Sequence, residues 1–146
     1  MRFPAELADP PAVRREGGAL RLLVTGSRNW ADRDVIDDAL WDWLIDHGYT
    51  AKTVSQMPAP VLVVGACPSG ADKIAEDLWR ERGFPVERHV ADWRRHGRSA
   101  GPKRNAAMVA SGVDACLAFP LGESRGTRGC MEMARQAGVP VTVVEG

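Results

Sequence analysis

Short apolar runs alternate with longer amphipathic stretches along this chain. Short runs that are apolar almost throughout are typical of strands buried on both faces of a parallel sheet, whereas apolar residues three and four apart predict helices. The predicted strands cover residues 20–25, 61–64, 86–90, 115–119 and 139–144. The predicted helices run from a cap at Asp32 or Asp34 to Gly48 and over 70–82, 101–111 and 126–137.

The alternation of strand and helix predicts the fold class. Strands joined through helices form βαβ units, so the sheet is mainly parallel and carries helices on both faces. We therefore expect an α/β domain of three layers with about five strands over residues 19–146. Residues 1–18 contain several prolines and a Gly-Gly pair without a clear apolar period, and they are predicted to form a flexible extension. Residues 50–60 are predicted to form a loop.

Composition and charge narrow the functional classes. The chain has 146 residues with 19 basic and 19 acidic side chains, so no overall field attracts nucleic acid or an anionic membrane. No apolar run is long enough to cross a bilayer or resembles a signal peptide. The three cysteines, Cys67, Cys116 and Cys130, are odd in number and lack metal-ligand spacing. We expect a cytoplasmic protein with reduced thiols and no metal or cofactor.

Three of the predicted strands end in turns of small residues that lead into helices. Free backbone N–H groups at a helix start favour an anion such as phosphate, and the carboxyl ends of parallel strands meet at one edge of the sheet. The three turns are therefore predicted to form one anion pocket, although none has the spacing of a dinucleotide fingerprint or a Walker loop. The candidate ligand-binding residues in these turns are Gly26, Ser27, Arg28, Gly65, Ser69, Gly70, Asp72, Gly122, Ser124, Gly126 and Thr127.

Individual side chains suggest particular roles in that pocket. Ser27 can donate its hydroxyl hydrogen to an anion, and Arg28 can bind a phosphate bidentately. In the second turn, the amides of residues 69–71 are predicted to face the ligand. Asp72 either orients a ribose hydroxyl or simply favours the helix N-terminus as an acid. The Cys67 thiol beside these amides could have a lowered pKa, but no base accompanies it, so a nucleophilic role is not favoured.

A basic stretch lies between the second and third turns. Residues 93–105 contain five Lys or Arg and no acid. Arg104 and Asn105 are predicted to lie in the first turn of a helix, where the dipole disfavours a cation, so we expect both to contact the ligand. Arg94 and Arg95 are expected to be surface residues. The alternatives for the stretch are a solvated basic loop or one that touches nucleic acid.

With these motifs in this order, the chain resembles the YspA-like family of the SLOG superfamily, which is related to the LOG and SMF/DprA proteins. The motifs are Thr25 to Trp30, Gly65 to Asp72, Ala91-Asp92-Trp93, Gly101 to Asn105 and Gly126-Thr127. The resemblance implies a Rossmann-like fold that binds or senses a nucleotide or nucleotide-derived ligand at the carboxyl edge of the sheet. It also implies a homodimer, for which Trp41, opposite the apolar face of the first helix, is a candidate interface residue.

The enzymatic branch of the superfamily suggests an alternative function. LOG-type phosphoribohydrolases cleave the N-glycosidic bond of nucleoside monophosphates with an arginine and a glutamate that follows a Gly-Thr pair. Arg104 resembles that arginine, and Gly126-Thr127 resembles the Gly-Thr pair, but Cys130 stands where the glutamate is expected. Glu123 or Glu132 would have to supply the carboxylate that a cationic sugar requires. We therefore favour binding over hydrolysis, assign no catalytic residue, and disfavour DNA binding of the SMF/DprA kind because the chain has no basic excess.

Overall fold

The computed structural model describes residues 18–146, so nearly all of the predicted extension at residues 1–18 lies outside the described residues. Its strands are β1 (Arg21–Gly26), β2 (Val61–Gly65), β3 (Val86–His89), β4 (Ala115–Phe119) and β5 (Val141–Val143). Its α-helices are α1 (Arg33–Asp46), α2 (Ala71–Glu81), α3 (Trp93–His96), α4 (Ala100–Ala110) and α5 (Arg125–Gln136). Short 3₁₀ turns occupy Val54–Gln56, within the predicted loop, and Gly97–Ser99.

The strands form one parallel sheet in the order β3-β2-β1-β4-β5, covered by helices on both faces. Leu22 and Val24 of β1 pack with side chains of α1 and α2, including the fully buried Trp79. Leu23, which points to the opposite face, packs with Met108 of α4 and Cys130 of α5. The predicted three-layer Rossmann-like architecture is confirmed.

The strand order places a binding crevice beside β1. From β1 the chain first builds outward through β2 and β3, and it then returns to add β4 and β5 on the other side. The connections leaving β1 and β4 therefore diverge to opposite faces of the sheet, and such switch points open a crevice beyond the carboxyl ends of the strands. Here the crevice lies beyond Gly26 and Phe119, which are register partners at the ends of β1 and β4.

Helix α1 follows its sequence pattern closely. Asp32, one of the two predicted capping residues, caps the helix: its carboxylate accepts a hydrogen bond from the Val35 amide at 3.2 Å. Ile36, Leu40, Trp43 and Leu44 are buried. Trp41 is 47% exposed as expected, and the Arg82 guanidinium lies 4.5 Å from the centroid of its ring. Its role in a dimer interface stays a prediction.

Two helix assignments made from the sequence need correction. Helix α4 begins at Ala100, one residue early, so Arg104 and Asn105 fall in its second turn rather than its first. The dipole argument for these residues is therefore weaker, because the effect fades beyond the first turn. The basic stretch also forms helix α3, which the sequence did not predict. The Asp92 carboxylate caps the start of this helix by accepting a hydrogen bond from the Arg95 amide at 3.1 Å.

An ion-pair network ties the strands together near the opposite edge of the sheet. The Arg21 guanidinium on β1 donates to both carboxylate oxygens of Glu87 on β3, at 2.6 and 2.9 Å, and to the Gly112 carbonyl at 2.8 Å. His89 Nε2 lies 2.7 Å from the same carboxylate. These contacts lower the pKa of Glu87 to about 2, and the hydrogen bonds from Arg21 contribute most to this shift.

Candidate functional site

A cavity of about 340 Å³ opens at the carboxyl edge, in the crevice beside β1. It gathers residues from all three predicted turns and from the start of α4. The predicted residues that line it are Gly26, Ser27, Arg28, Asp72, Arg104, Asn105, Ser124, Gly126 and Thr127. Thr25, Cys67, Trp93, Gly101 and Pro102 also line it. The predicted composite pocket is therefore present as a space, with residues from distant parts of the chain around it.

Arg104 is positioned by a glycine and by its neighbour in the chain. A β-carbon on Gly65 would lie 2.7 Å from Cζ of Arg104, so only glycine at the end of β2 leaves room for the guanidinium. Arg104 Nε donates to the side-chain oxygen of Asn105 at 2.8 Å, and Asn105 Nδ2 donates to the Gly126 carbonyl at 3.4 Å. This relay ties the guanidinium on α4 to the first turn of α5.

The start of α5 presents an uncapped turn to the cavity. No side chain caps the helix, and its first turn holds no acid. Ser124, in the left-handed conformation at φ 40°, uses its hydroxyl oxygen to accept from the Leu121 amide at 3.1 Å. Gly126 and the buried Thr127 line the cavity just beyond it. A helix start of this kind, next to a guanidinium, suits an anionic group.

The first turn is held rigidly by backbone hydrogen bonds. The Ser27 amide donates to the Phe119 carbonyl at 3.0 Å, and the Ser27 carbonyl accepts from the Ala71 amide at 3.0 Å. The Ser27 hydroxyl oxygen accepts from the Asn29 amide at 3.1 Å. Because a hydroxyl is both donor and acceptor, its hydrogen can still be donated into the cavity.

The second turn supports the first turn and contributes less to the cavity than the sequence suggested. Gly65, Ser69 and Gly70 do not line the cavity, and neither does Gly122 of the third turn. Gly70 has φ +85°, and a β-carbon there would lie 2.6 Å from the Arg28 carbonyl carbon. The Ser69 hydroxyl donates to the Arg28 carbonyl at 3.3 Å. The expectation that the Ala71 amide faces a ligand is wrong, because that amide already binds Ser27.

Asp72 is the one carboxylate among the described residues that line the cavity. It is 6% exposed, and the Cys67 thiol donates to its Oδ2 at 3.7 Å. Burial raises the pKa of Asp72 to about 6, although the nearby Arg104 charge and backbone hydrogen bonds from Gly65 and Gly26 partly oppose this. The cavity lining thus brings a buried acid within electrostatic reach of a guanidinium.

The thiols at this edge are not activated. Burial and the Asp72 charge raise the pKa of Cys67, so the possibility of a lowered pKa is wrong. Burial also raises the pKa of Cys130 to about 11, and this residue packs in the core beneath α5. All three cysteines are free and buried. None of them has the exposed, electropositive setting of a nucleophile.

The two glutamates considered for hydrolysis lie away from the cavity. Glu123 and Glu132 are exposed, and neither lines the cavity. Glu132 instead accepts from the side-chain amide of Gln136, one turn further along α5. The carboxylate at this site comes from α2.

Sequence reasoning missed Trp93 as a lining residue. Two signals pointed to it: its place in the Ala91-Asp92-Trp93 motif of the family resemblance and its apolar side chain within a run of cations, which also describes a surface tryptophan. Arg94 and Arg95, expected at the surface, are exposed. Within residues 18–146, no cluster of side chains suited to a metal is found, and none of the helices has the length and apolar character needed to span a membrane.

Comparison with known proteins shows which family this chain belongs to. The model of the YspA, cpYpsA-related SLOG family (YAcAr) matches residues 20–96, which include the first two turns and the whole of α3. The chain belongs to this family. It is also 48% identical over 127 residues to the Gene 61 protein of Mycobacterium phage D29, an alignment that covers 83% of this chain and 93% of that protein.

Proposed function

We propose that the cavity binds a nucleotide or nucleotide-derived phosphorylated small molecule. The observation that carries the proposal is the convergence of the Arg104 guanidinium and the uncapped start of α5 on the cavity that Ser27 and Arg28 also line. Membership of the SLOG family supports a nucleotide-related ligand. The phosphate is assigned to Arg104 and the first turn of α5.

Charge and size both favour a small anion. Two guanidinium groups, of Arg28 and Arg104, line the cavity against the single carboxylate of Asp72. A guanidinium binds phosphate oxygens through paired, charge-assisted hydrogen bonds. A volume of about 340 Å³ lies at the lower end of the range for small-molecule sites, which suits one nucleotide better than a nucleic-acid duplex.

Titration calorimetry of purified protein with AMP, ADP-ribose and NAD tests the proposal. Hydrogen bonds to a charged group contribute about 1.5–3 kcal/mol, so Arg104→Ala should weaken binding about 10- to 100-fold. Arg94→Ala is the matched control, because Arg94 is exposed on α3 and does not line the cavity. Equal losses in the two variants would contradict the assignment. Absence of nucleotide binding, together with salt-sensitive retention of DNA, would favour the nucleic-acid alternative.

The position of Asp72 supports a second candidate function, cleavage of the ligand's N-glycosidic bond. In such a reaction the bond from the sugar carbon to the base nitrogen breaks, the base leaves with a proton, and water supplies the new hydroxyl group. A carboxylate stabilises the cationic sugar in the transition state. With a pKa of about 6, Asp72 is ionised at neutral pH and can act in this way.

Chromatography of the incubated nucleotides separates the two candidates. Release of free base by the wild type that disappears in Asp72→Asn, with ligand binding retained, would support cleavage. Intact nucleotide after long incubation, despite tight binding, would leave binding or sensing as the function.

A further inference from the structure

We propose that Trp93 forms the subsite for an aromatic base, so that the cavity selects a nucleotide over a bare sugar phosphate. This inference rests on the proposed function. It adds the residue that binds the base, whereas the proposed function names residues for the phosphate alone. Trp93 lines the cavity together with Arg28, Arg104 and Thr127. It is the one aromatic residue among the described lining residues.

The exposure of Trp93 needs an explanation. Its side chain is 50% exposed, although tryptophan is usually buried. Other large apolar side chains are also exposed, namely Trp41, Ile45 and Val54. These three line a separate groove beside α1. Trp93 instead lines the cavity at the carboxyl edge of the sheet while half of its surface stays exposed. A planar apolar surface beside phosphate-binding groups is what base stacking requires.

The surrounding residues hold the ring in place. The Asp92 cap fixes the first turn of α3, from which Trp93 projects. A β-carbon on Gly101 would lie 3.4 Å from Cη2 and 4.0 Å from Cζ2 of the ring, so the ring edge rests against the start of α4. A ring supported at its edge loses little freedom when a base stacks on it, which favours binding.

Arg28 makes only a weak contact with the Trp93 ring. Its Cζ lies 5.8 Å from the ring centroid, close to the outer limit of about 6 Å for a cation–π contact. Such a contact is weak at an exposed site, so a stacked base can replace it. Because Arg28 directly follows Ser27 in the first turn, the same residue can then bind the ligand's phosphate or sugar. Arg28 therefore lies between the ring of Trp93 and the other residues that line the cavity for the anionic part of the ligand.

Paired ligands with and without a base test this subsite. Calorimetry would compare AMP and ADP-ribose with ribose 5-phosphate on the wild type, Trp93→Ala and Trp93→Phe. Stacking contributes about 1–3 kcal/mol per base, which corresponds to about 5- to 150-fold in affinity. Trp93→Ala should lose this factor for the nucleotides only, Trp93→Phe should keep most of it, and ribose 5-phosphate should bind all three proteins alike.

Trp41→Ala is the matched control, since it removes an equally exposed tryptophan outside the cavity and should leave every affinity unchanged. Equal affinity of wild type and Trp93→Ala for the nucleotides would overturn the base subsite while the phosphate site stands. Equal weakening of ribose 5-phosphate and nucleotides would also overturn it, because the loss would then be structural. Absence of binding by all three ligands to the wild type would overturn the proposed function along with it.

Discussion

Replacement of Asp72 by asparagine should remove a pH dependence of folding stability. Burial raises the pKa of Asp72 from 3.8 to about 6 in the folded protein. This shift of about two units corresponds to about 3 kcal/mol between the two protonation states, at 1.36 kcal/mol per unit. Asparagine keeps the shape and one oxygen acceptor for the backbone amides, but it carries no charge at any pH.

The direction follows from proton binding in the two states. Between about pH 4 and 6 the folded protein holds a proton on Asp72, which the unfolded chain has already released. The free energy of unfolding therefore falls as pH rises through this window, and the contribution is constant above about pH 6. Relative to Asp72→Asn, the wild type should lose about 2 kcal/mol between pH 4 and pH 7, since the unfolded chain is still partly protonated at pH 4.

Urea unfolding of both proteins at half-unit steps from pH 4 to pH 8 measures the effect. Asp77→Asn is a suitable control on the same helix, because its carboxylate pairs with Lys73 at 2.9 Å on the exposed surface. The substitution can also change stability by an amount that is the same at every pH, through altered hydrogen bonds, so the test is whether the difference between the two proteins varies with pH. A difference of the same size from pH 4 to pH 8 would refute a buried, desolvated Asp72. A wild type that gains stability relative to Asp72→Asn as pH rises would mean that the charge of Arg104 outweighs burial.

Three further predictions concern the same edge, the opposite edge and the thiols. Gly65→Ala should displace the flexible end of Arg104 and so weaken AMP binding as much as Arg104→Ala does, with little change in melting temperature. Gly129→Ala is the control, because this glycine lies at an open position on α5, and it should leave AMP binding intact. Glu87, whose pKa is lowered to about 2, stabilises the fold above about pH 4.5 and loses this effect as pH falls through about 2. Glu87→Gln should therefore show a smaller stability loss in acid by circular dichroism, and an unchanged acid transition would contradict the ion pair. Iodoacetamide at pH 8 should modify the three buried cysteines slowly in the folded protein and quickly in denaturant, as followed by mass spectrometry; rapid labelling of folded Cys67 would contradict its raised pKa.

The sequence predicted the fold and the meeting of the three turns at one edge because both depend on local patterns. Apolar runs fix the strands, and the rule that parallel strands share a carboxyl edge brings the three turns together. The side chains of Arg28, Arg104 and Thr127 line the cavity as expected.

The contributions of the second turn and of Trp93 could not be predicted in the same way. Gly65 and Gly70 are small because the Arg104 side chain and the backbone of the first turn pack against them. The Ala71 amide is taken by Ser27, a residue far away in sequence. The ring of Trp93 depends on how α3 meets the start of α4. Each of these is a tertiary contact, and a local pattern of glycine or tryptophan looks the same with or without it.

The Asp72 carboxylate makes a negatively charged side chain unfavourable at position 130, where the LOG-type motif has glutamate and this chain has Cys130. The Cys130 thiol lies near enough to the site for the charges of Asp72 and Arg104 to act on its pKa in opposite directions. A glutamate at position 130 would bring a second negative charge toward a carboxylate whose ionisation burial already disfavours, and like charges raise each other's pKa further. A neutral side chain there adds no charge that would oppose the ionisation of Asp72, which the nearby Arg104 charge favours. A carboxylate supplied from α2 is thus compatible with the absence of that glutamate, and Asp72 is the lining carboxylate that the proposed glycosidic cleavage would use.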